Sequence, residues 1–208
     1  MKITRSSFPL VFAALLSCAL PQLASGQEAV PLEQAQKGAQ LLTEAAGRLA
    51  DAPVAIDTNL DKPFAAKAGD VGLLVIPDKA LTAEKLSGAS TTITPVGQLW
   101  MKGVSTAVDG HSPSKDDVRS YTVRAGDNDL TVQLYLVGVV KNAAGRAEVV
   151  VYGKGKEPLV HTSLDKSTTG SKEMPIELSG KKNDENSGTL TLLLPGNFQA
   201  EIVLVKAE

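Results

Sequence analysis

Residues 189–205, "TLTLLLPGNFQAEIVLV", constrain the fold more than any other stretch of the chain. Their second half sets Phe198, Ala200, Ile202 and Leu204 at alternate positions, with Gln199 and Glu201 between them. Period two is the spacing of a strand with one buried and one wet face. Two such runs joined by Pro-Gly-Asn make a hairpin, because proline and glycine supply the φ angles that a tight turn needs. An antiparallel hairpin with one apolar face must bury that face against a second layer.

The same rhythm runs back to about Val118. "VRSYTV" and "LTVQLYLVGVV" flank the turn-rich "RAGDND". In the second of these, Leu130, Val132, Leu134, Leu136 and Val140 share one face, and Thr131, Gln133 and Tyr135 take the other. "NAAG" leads into "RAEVVVY", and "GKGKEP" into "LVHTSL". Upstream, "VGLLVI" (71–76) is continuously apolar, as a strand covered on both faces should be. "LTAEKL" predicts a short helix capped by Thr82, with Leu81 and Leu86 placed to staple across the cap. "ITPVGQLWMKGV" reads as a strand interrupted at Pro95 and Gly97, which suits an edge or a bulge. "LDKSTTGSKEMP" and "GKKNDENSG" read as exposed loops. Six strands after residue 117 and about two before it, with no βαβ rhythm, predict a mainly β fold. The expected architecture is an antiparallel two-sheet sandwich, Ig-like or related, with an N-terminal amphipathic helix.

That helix rests on Leu32, Ala35, Ala39, Leu42, Ala46 and Leu49, whose spacing keeps them on one helical seam. The seam is too short for a confident coiled coil, so docking on its own domain is expected first and self-association second. The expected organisation is a signal peptide at 1–26, a helical extension at 27–50, a linker at 51–70 with a short strand at Val54–Asp57, and a sandwich domain at 71–208.

Lys2 and Arg5, the apolar run "FPLVFAALLSCAL", and Ala24 and Gly26 at −3 and −1 of a cut form a secretory leader. The apolar run is shorter than the roughly 20 residues of a membrane-spanning helix. "LLSC" loosely resembles the lipobox of bacterial lipoproteins, which implies a lipid anchor at Cys18; bulky Leu16 departs from that pattern and favours ordinary cleavage. Cleavage after Gly26 removes Lys2, Arg5 and the only cysteine, leaving a mildly acidic chain. Such a chain lacks the basic footprint of a nucleic-acid binder. Disulfides and thiolate catalysis would then be excluded. The absence of an N-x-[ST] sequon points the same way as the absence of disulfides, toward a bacterial periplasmic or extracellular protein.

Catalytic candidates are few. "DGHSPSKDD" (109–117) sets His111 among aspartates and serines, but triads are assembled from distant segments and no G-x-S-x-G elbow occurs. His161 lies on a strand, and neither histidine belongs to an H-E-x-x-H pair. The acidic tips at 126–129 and 183–186 lack the calcium-loop pattern, and no phosphate-cradling or other cofactor motif is present. No catalytic residue, metal ligand or cofactor is therefore assigned. Leaving the leader aside, the aromatics are Phe64, Trp100, Tyr121, Tyr135, Tyr152 and Phe198. Trp100 on the suspected edge, with Tyr135 and Tyr152 on neighbouring strands, forms the candidate binding surface, set against plain core packing. The expected function is a non-enzymatic binding or scaffolding module of the cell envelope, with a protein partner or a second copy meeting helix 32–49 or a sheet edge. The alternatives are a hydrolase or metal-dependent enzyme using His111 or His161 with a carboxylate, and a self-associating structural subunit.

Overall fold

The computed structural model describes residues 27–126, 128–168, 171 and 173–207; the leader lies outside them. The protein is mainly β, built from two antiparallel sheets that do not close into a barrel. In chain order the elements are β1 (Glu28–Ala29), α1 (Leu32–Ala46), β2 (Phe64–Ala68), β3 (Val71–Pro77), α2 (Ala83–Ser87), β4 (Thr94–Lys102), β5 (Val104–Thr106), β6 (Arg119–Ala125), β7 (Asn128–Lys141), β8 (Ala147–Tyr152), β9 (Val160–Ser163), β10 (Asp165–Lys166), β11 (Glu177–Lys182), β12 (Ser187–Leu194) and β13 (Phe198–Lys206). Among the described residues the larger sheet has eight strands in the order β1-β2-β3-β4-β7-β8-β9, with β6 also on β7. The smaller has five, β10-β13-β12-β11, with β5 on β13.

The larger sheet is covered on both faces. Toward the smaller sheet, Leu73, Val75, Leu99, Tyr135, Val137 and Val149 meet Leu178, Leu190, Leu192, Ala200, Ile202 and Leu204 in one core. On the opposite face Leu74, Ile76, Trp100, Leu134, Leu136 and Val150 form a second core beneath α1. Side chains of β3 alternate between the two cores, so its sequence reads as an unbroken apolar run. All five alternating residues of β7, Leu130 through Val140, face the helix. Of the expected seam, Ala35, Ala39 and Leu42 are buried, Ala46 is partly covered and Leu32 stays 46% exposed, whereas Leu49, partly covered, lies past the end of α1, which stops at Ala46 before Gly47. The small residues Ala35 and Ala39 of α1, and Ala65 of β2, share this layer with the larger side chains.

Three expectations are corrected. The stretch 51–70 is not simply a linker: its strand is β2, paired along Phe64↔Val75 to Ala68↔Val71, and residues 54–57 are not a strand. "FAAKA" carries little β preference of its own; pairing with β3 and burial of Ala65 and Ala66 make it a strand. β4 is not an edge but lies between β3 and β7. Its register shifts between Pro95 and Gly97, so the interruption is an internal bulge. A Cβ on Gly97 would stand 2.4 Å from the Ile76 carbonyl oxygen, which is why glycine occupies the bulge. Finally, "GKKNDENSG" is not one loop, because β11 runs through Lys182 and only the tip joins it to β12.

α2 follows its sequence. The Thr82 hydroxyl accepts from the Lys85 amide, and Leu81 and Leu86 are buried in the inter-sheet core.

Candidate functional site

The aromatic candidates do not form a surface. Trp100 is 2% exposed, Tyr135 0% and Tyr152 4%, so none offers a platform to a ligand. Strand alternation also divides them, with Tyr135 in the inter-sheet core and Trp100 and Tyr152 in the core beneath α1. Trp100 tilts against Tyr121 at 5.4 Å between ring centroids, and its Nε1 donates to buried Gln98 Oε1 at 3.1 Å. The Tyr135 hydroxyl donates to Gln133 Oε1 at 2.8 Å, which leaves the Ser105 hydroxyl, 2.7 Å away, to donate to Tyr135. This pair ties β7 of one sheet to β5 of the other. Burial holds the Tyr135 hydroxyl above its ordinary pKa, and burial does the same for Tyr152.

His111 closes a tight turn. Its amide and carbonyl both pair with those of Val108, at 3.0 and 2.9 Å, around Asp109 and Gly110, which have φ of 50° and 81°. Positive φ at both central positions is the geometry of a two-residue hairpin turn. The histidine is exposed, a turn residue among loop formers. His161 lies on β9 opposite Val150, with Nδ1 3.3 Å from Glu148 Oε2. Asn142 Nδ2 holds the other carboxylate oxygen of Glu148 at 2.5 Å. The His161 side chain is 56% exposed, and the pair is two members of a triad with no nucleophile in hydrogen-bonding contact among the described residues. No group of three or more His, Cys, Asp or Glu side chains able to hold a metal occurs among the described residues. At the 183–186 tip the carboxylate of Asp184 is engaged by its own turn. It accepts from the Asn186 and Ser187 amides at 2.8 Å each and from the Ser187 hydroxyl at 2.5 Å, and these bonds lower its pKa. Residue 127 of the other tip lies outside the described residues.

A cleft of about 800 Å³ opens at one end of the sandwich. Its floor is the end of the inter-sheet core, Val71, Leu73, Val104 and Leu204. One wall is the β2–β3 turn with Ala66, Ala68 and Asp70, and the other is the β11–β12 hairpin with Gly180, Lys182 and Gly188. The sheets are bridged there by Gly103, the corner at which the chain passes from β4 to β5 with φ of 76°. Alternation puts Lys206 on the strand face of Leu204 and Lys182 on that of Leu178, so both ammonium groups lie on the cleft side. The lining carries charges of both signs, with Asp70, Asp184 and Glu185 beside the lysines. An apolar floor framed by charged side chains suits non-covalent binding, and the lining contains neither His nor Cys. A separate cavity of about 50 Å³ lies beneath α1, bounded by Gly38, Leu42, Leu74, Trp100 and Val132 among others.

Sequence reasoning pointed to neither Lys182, Lys206 nor the alanine and glycine walls. They come from four segments that meet only after the sheets stack, and no local spacing records that. Comparison with protein-family models, curated proteins and solved structures found no match. No helix among the described residues is long and apolar enough to cross a membrane.

Proposed function

We propose that this protein is an exported, non-enzymatic binding module of a bacterial cell envelope, periplasmic or extracellular, and that an extended segment of a protein partner binds in the end cleft. The leader supports export. The cleft carries the binding reading, because it combines a receptive volume, an apolar floor and the terminal strand of the smaller sheet, β11. An extended peptide can pair its backbone with the part of that strand's edge past Gly180, beside the stretch that Gln27 holds at Leu178 and Gly180, while its side chains reach the floor. The Ig-like kinship belongs to the same proposal and rests on two packed antiparallel sheets. The strand order here is closer to a meander than to the ABED/CFG arrangement of immunoglobulin domains, so "related" is the better half of that description.

The chain's only cysteine is Cys18, which makes a site-directed crosslink practical. Cysteine replaces Ala68 in the cleft or, as a control, exposed Gln40 on α1, and each carries a short photocrosslinker in the cell of origin. The expected result is a discrete adduct from position 68 and none from position 40. Equal labelling from both positions refutes the cleft. An adduct of twice the chain's own mass replaces the partner with a second copy. His161 beside Glu148 is the one observation that favours a hydrolase; in the binding reading, His161→Ala leaves the adduct from position 68 unchanged.

A further inference from the structure

Gln27 is the residue that the proposed cut after Gly26 would expose as the new N-terminus, and its side chain already has an engagement. Its Nε2 donates to the Leu178 carbonyl at 3.0 Å, and its Oε1 accepts from the Gly180 amide. Both partners belong to the outer edge of β11, so one carboxamide supplies what the peptide of a neighbouring strand would supply. The backbone that follows belongs to the other sheet. Glu28 and Ala29 pair with Lys67 and Ala66, the Val30 amide donates to the Ala65 carbonyl at 2.8 Å, and Glu28 meets Lys67 at 3.2 Å. Gln27 thus clasps the larger sheet to the smaller one along the side of the cleft that it lines.

Glutamine with a free α-amino group has a reaction open to it that needs no co-reactant. The amine nitrogen attacks Cδ, the new N–Cδ bond closes a five-membered lactam, the Cδ–Nε2 bond breaks, and Nε2 leaves with a proton from the amine as ammonia. The product, pyroglutamate, has no Nε2 and cannot donate to Leu178. Clasp and cyclisation therefore compete for the same carboxamide. We infer that Gln27 is a modification site gated by the clasp: while its side chain holds β11 it stays open-chain glutamine, and release commits it to pyroglutamate and leaves the cleft unclasped. The inference rests on the export reading, since only that cut creates the α-amine.

The rate of cyclisation follows the fraction of molecules with the carboxamide free. Intact-mass and N-terminal peptide spectra of the exported protein, taken over time at 37 °C, read that fraction as loss of ammonia. A synthetic peptide of residues 27–36 provides the unclasped rate. The folded protein is expected to cyclise at least tenfold more slowly than the peptide. Gly180→Ala should fall between them, because its Cβ would stand 3.0 Å from Gln27 Oε1 and crowd the carboxamide. Cyclisation of the folded protein at the peptide's rate overturns the gating. A mature chain that begins elsewhere removes the modification site and counts against the export cut, while the clasp is read separately. For that, hydrogen exchange at the Gly180 amide is compared in the full chain and in Gln27→Ala; lost protection in the variant supports the clasp, and unchanged protection refutes it.

Discussion

The two sheets are made from similar residues but meet different surroundings. The larger sheet has a core on each face, one against the smaller sheet and one beneath α1 and the segment that follows it. The smaller sheet has one core and one wet face: along β13, Phe198, Ala200, Ile202 and Leu204 are buried, whereas Val203 is 49% exposed. A side chain in the middle of β3, β4 or β8 is consequently hard to replace whichever way it points, whereas β13 of the smaller sheet leaves alternate side chains available for change. The cleft lies where the inter-sheet core ends and both kinds of surface come together.

The sharpest way to break this comparison is to truncate one apolar residue from each class. Trp100→Ala, in the core facing α1, empties a side chain beside a space of about 50 Å³ and should cost about 3–5 kcal/mol. Val203→Ala, on the wet face, should stay within about 0.5 kcal/mol of the parent. Urea unfolding of both variants checks the pair, and comparable losses would mean that α1 does not seal the larger sheet.

The coil part of that cover provides a second test. Val54 is buried and Ile56 and Leu60 partly covered in the helix-side core, and the segment that carries them is held by backbone bonds from Asn59 to Pro77 and from Lys79 to Asp57 and by the carboxylate of Asp78. Asp78, 6% exposed, accepts from the Asp57 amide at 2.9 Å through Oδ2 and from the Ala80 amide at 2.8 Å through Oδ1. Asp78→Ala leaves both donors without that acceptor and should cost about 2 kcal/mol. Faster exchange of the Asp57 amide, with the β12–β13 hairpin unaffected, would place the loss in the cover of the larger sheet.

How much of this could be read in the sequence follows from the same contrast. Alternation in 198–204 and the unbroken run of 71–76 each report how many faces a strand buries, so β13 and β3 were legible, as were the β6–β7 and β12–β13 hairpins and the Thr82 cap. β2 and β11 were not. "FAAKA" and "ELSGKK" carry no marked pattern and become strands because partners lie beside them. Pro95 and Gly97 announced a break in the ladder, but a break at an edge and a bulge inside a sheet look alike in one dimension, and Trp100 was misplaced with it. The cleft was invisible for a related reason: its walls are alanine and glycine, informative only once two sheets frame them.

Joining the sheets gives a third and smaller effect. Tyr135→Phe keeps the ring in the inter-sheet core but leaves the fully buried Ser105 hydroxyl without its acceptor, for about 1–2 kcal/mol. The pH dependence has a definite sign. Because burial raises the Tyr135 pKa above its ordinary 10.0, the unfolded chain loses this proton at lower pH than the folded one. The associated stability is complete below about pH 10 and declines as pH rises toward the folded value. Tyr152, shifted in the same direction, remains in both proteins, so parent and Tyr135→Phe should converge as melting is followed from pH 8 to 11. Parallel curves across that range would remove the hydroxyl from the account.

A last contrast, whose weaker arm is about 1 kcal/mol or less, lies in the closure of the inter-sheet core between β3 and β4. α2 is only five residues long and is not stable through its own hydrogen bonds, so it depends on Leu81 and Leu86 inserted in that core and on the Thr82 cap. The cap bond is exposed and 3.3 Å long, and Thr82→Ala should cost about 1 kcal/mol or less. Leu86→Ala removes a side chain that is 1% exposed and should cost several times more, about 2–4 kcal/mol. The ratio of the two is the informative quantity. A ratio near one would mean that α2 is held by its cap and merely rests on the sandwich; the expected ratio of two or more makes it a plug, retained by the same one-sided burial that organises the smaller sheet.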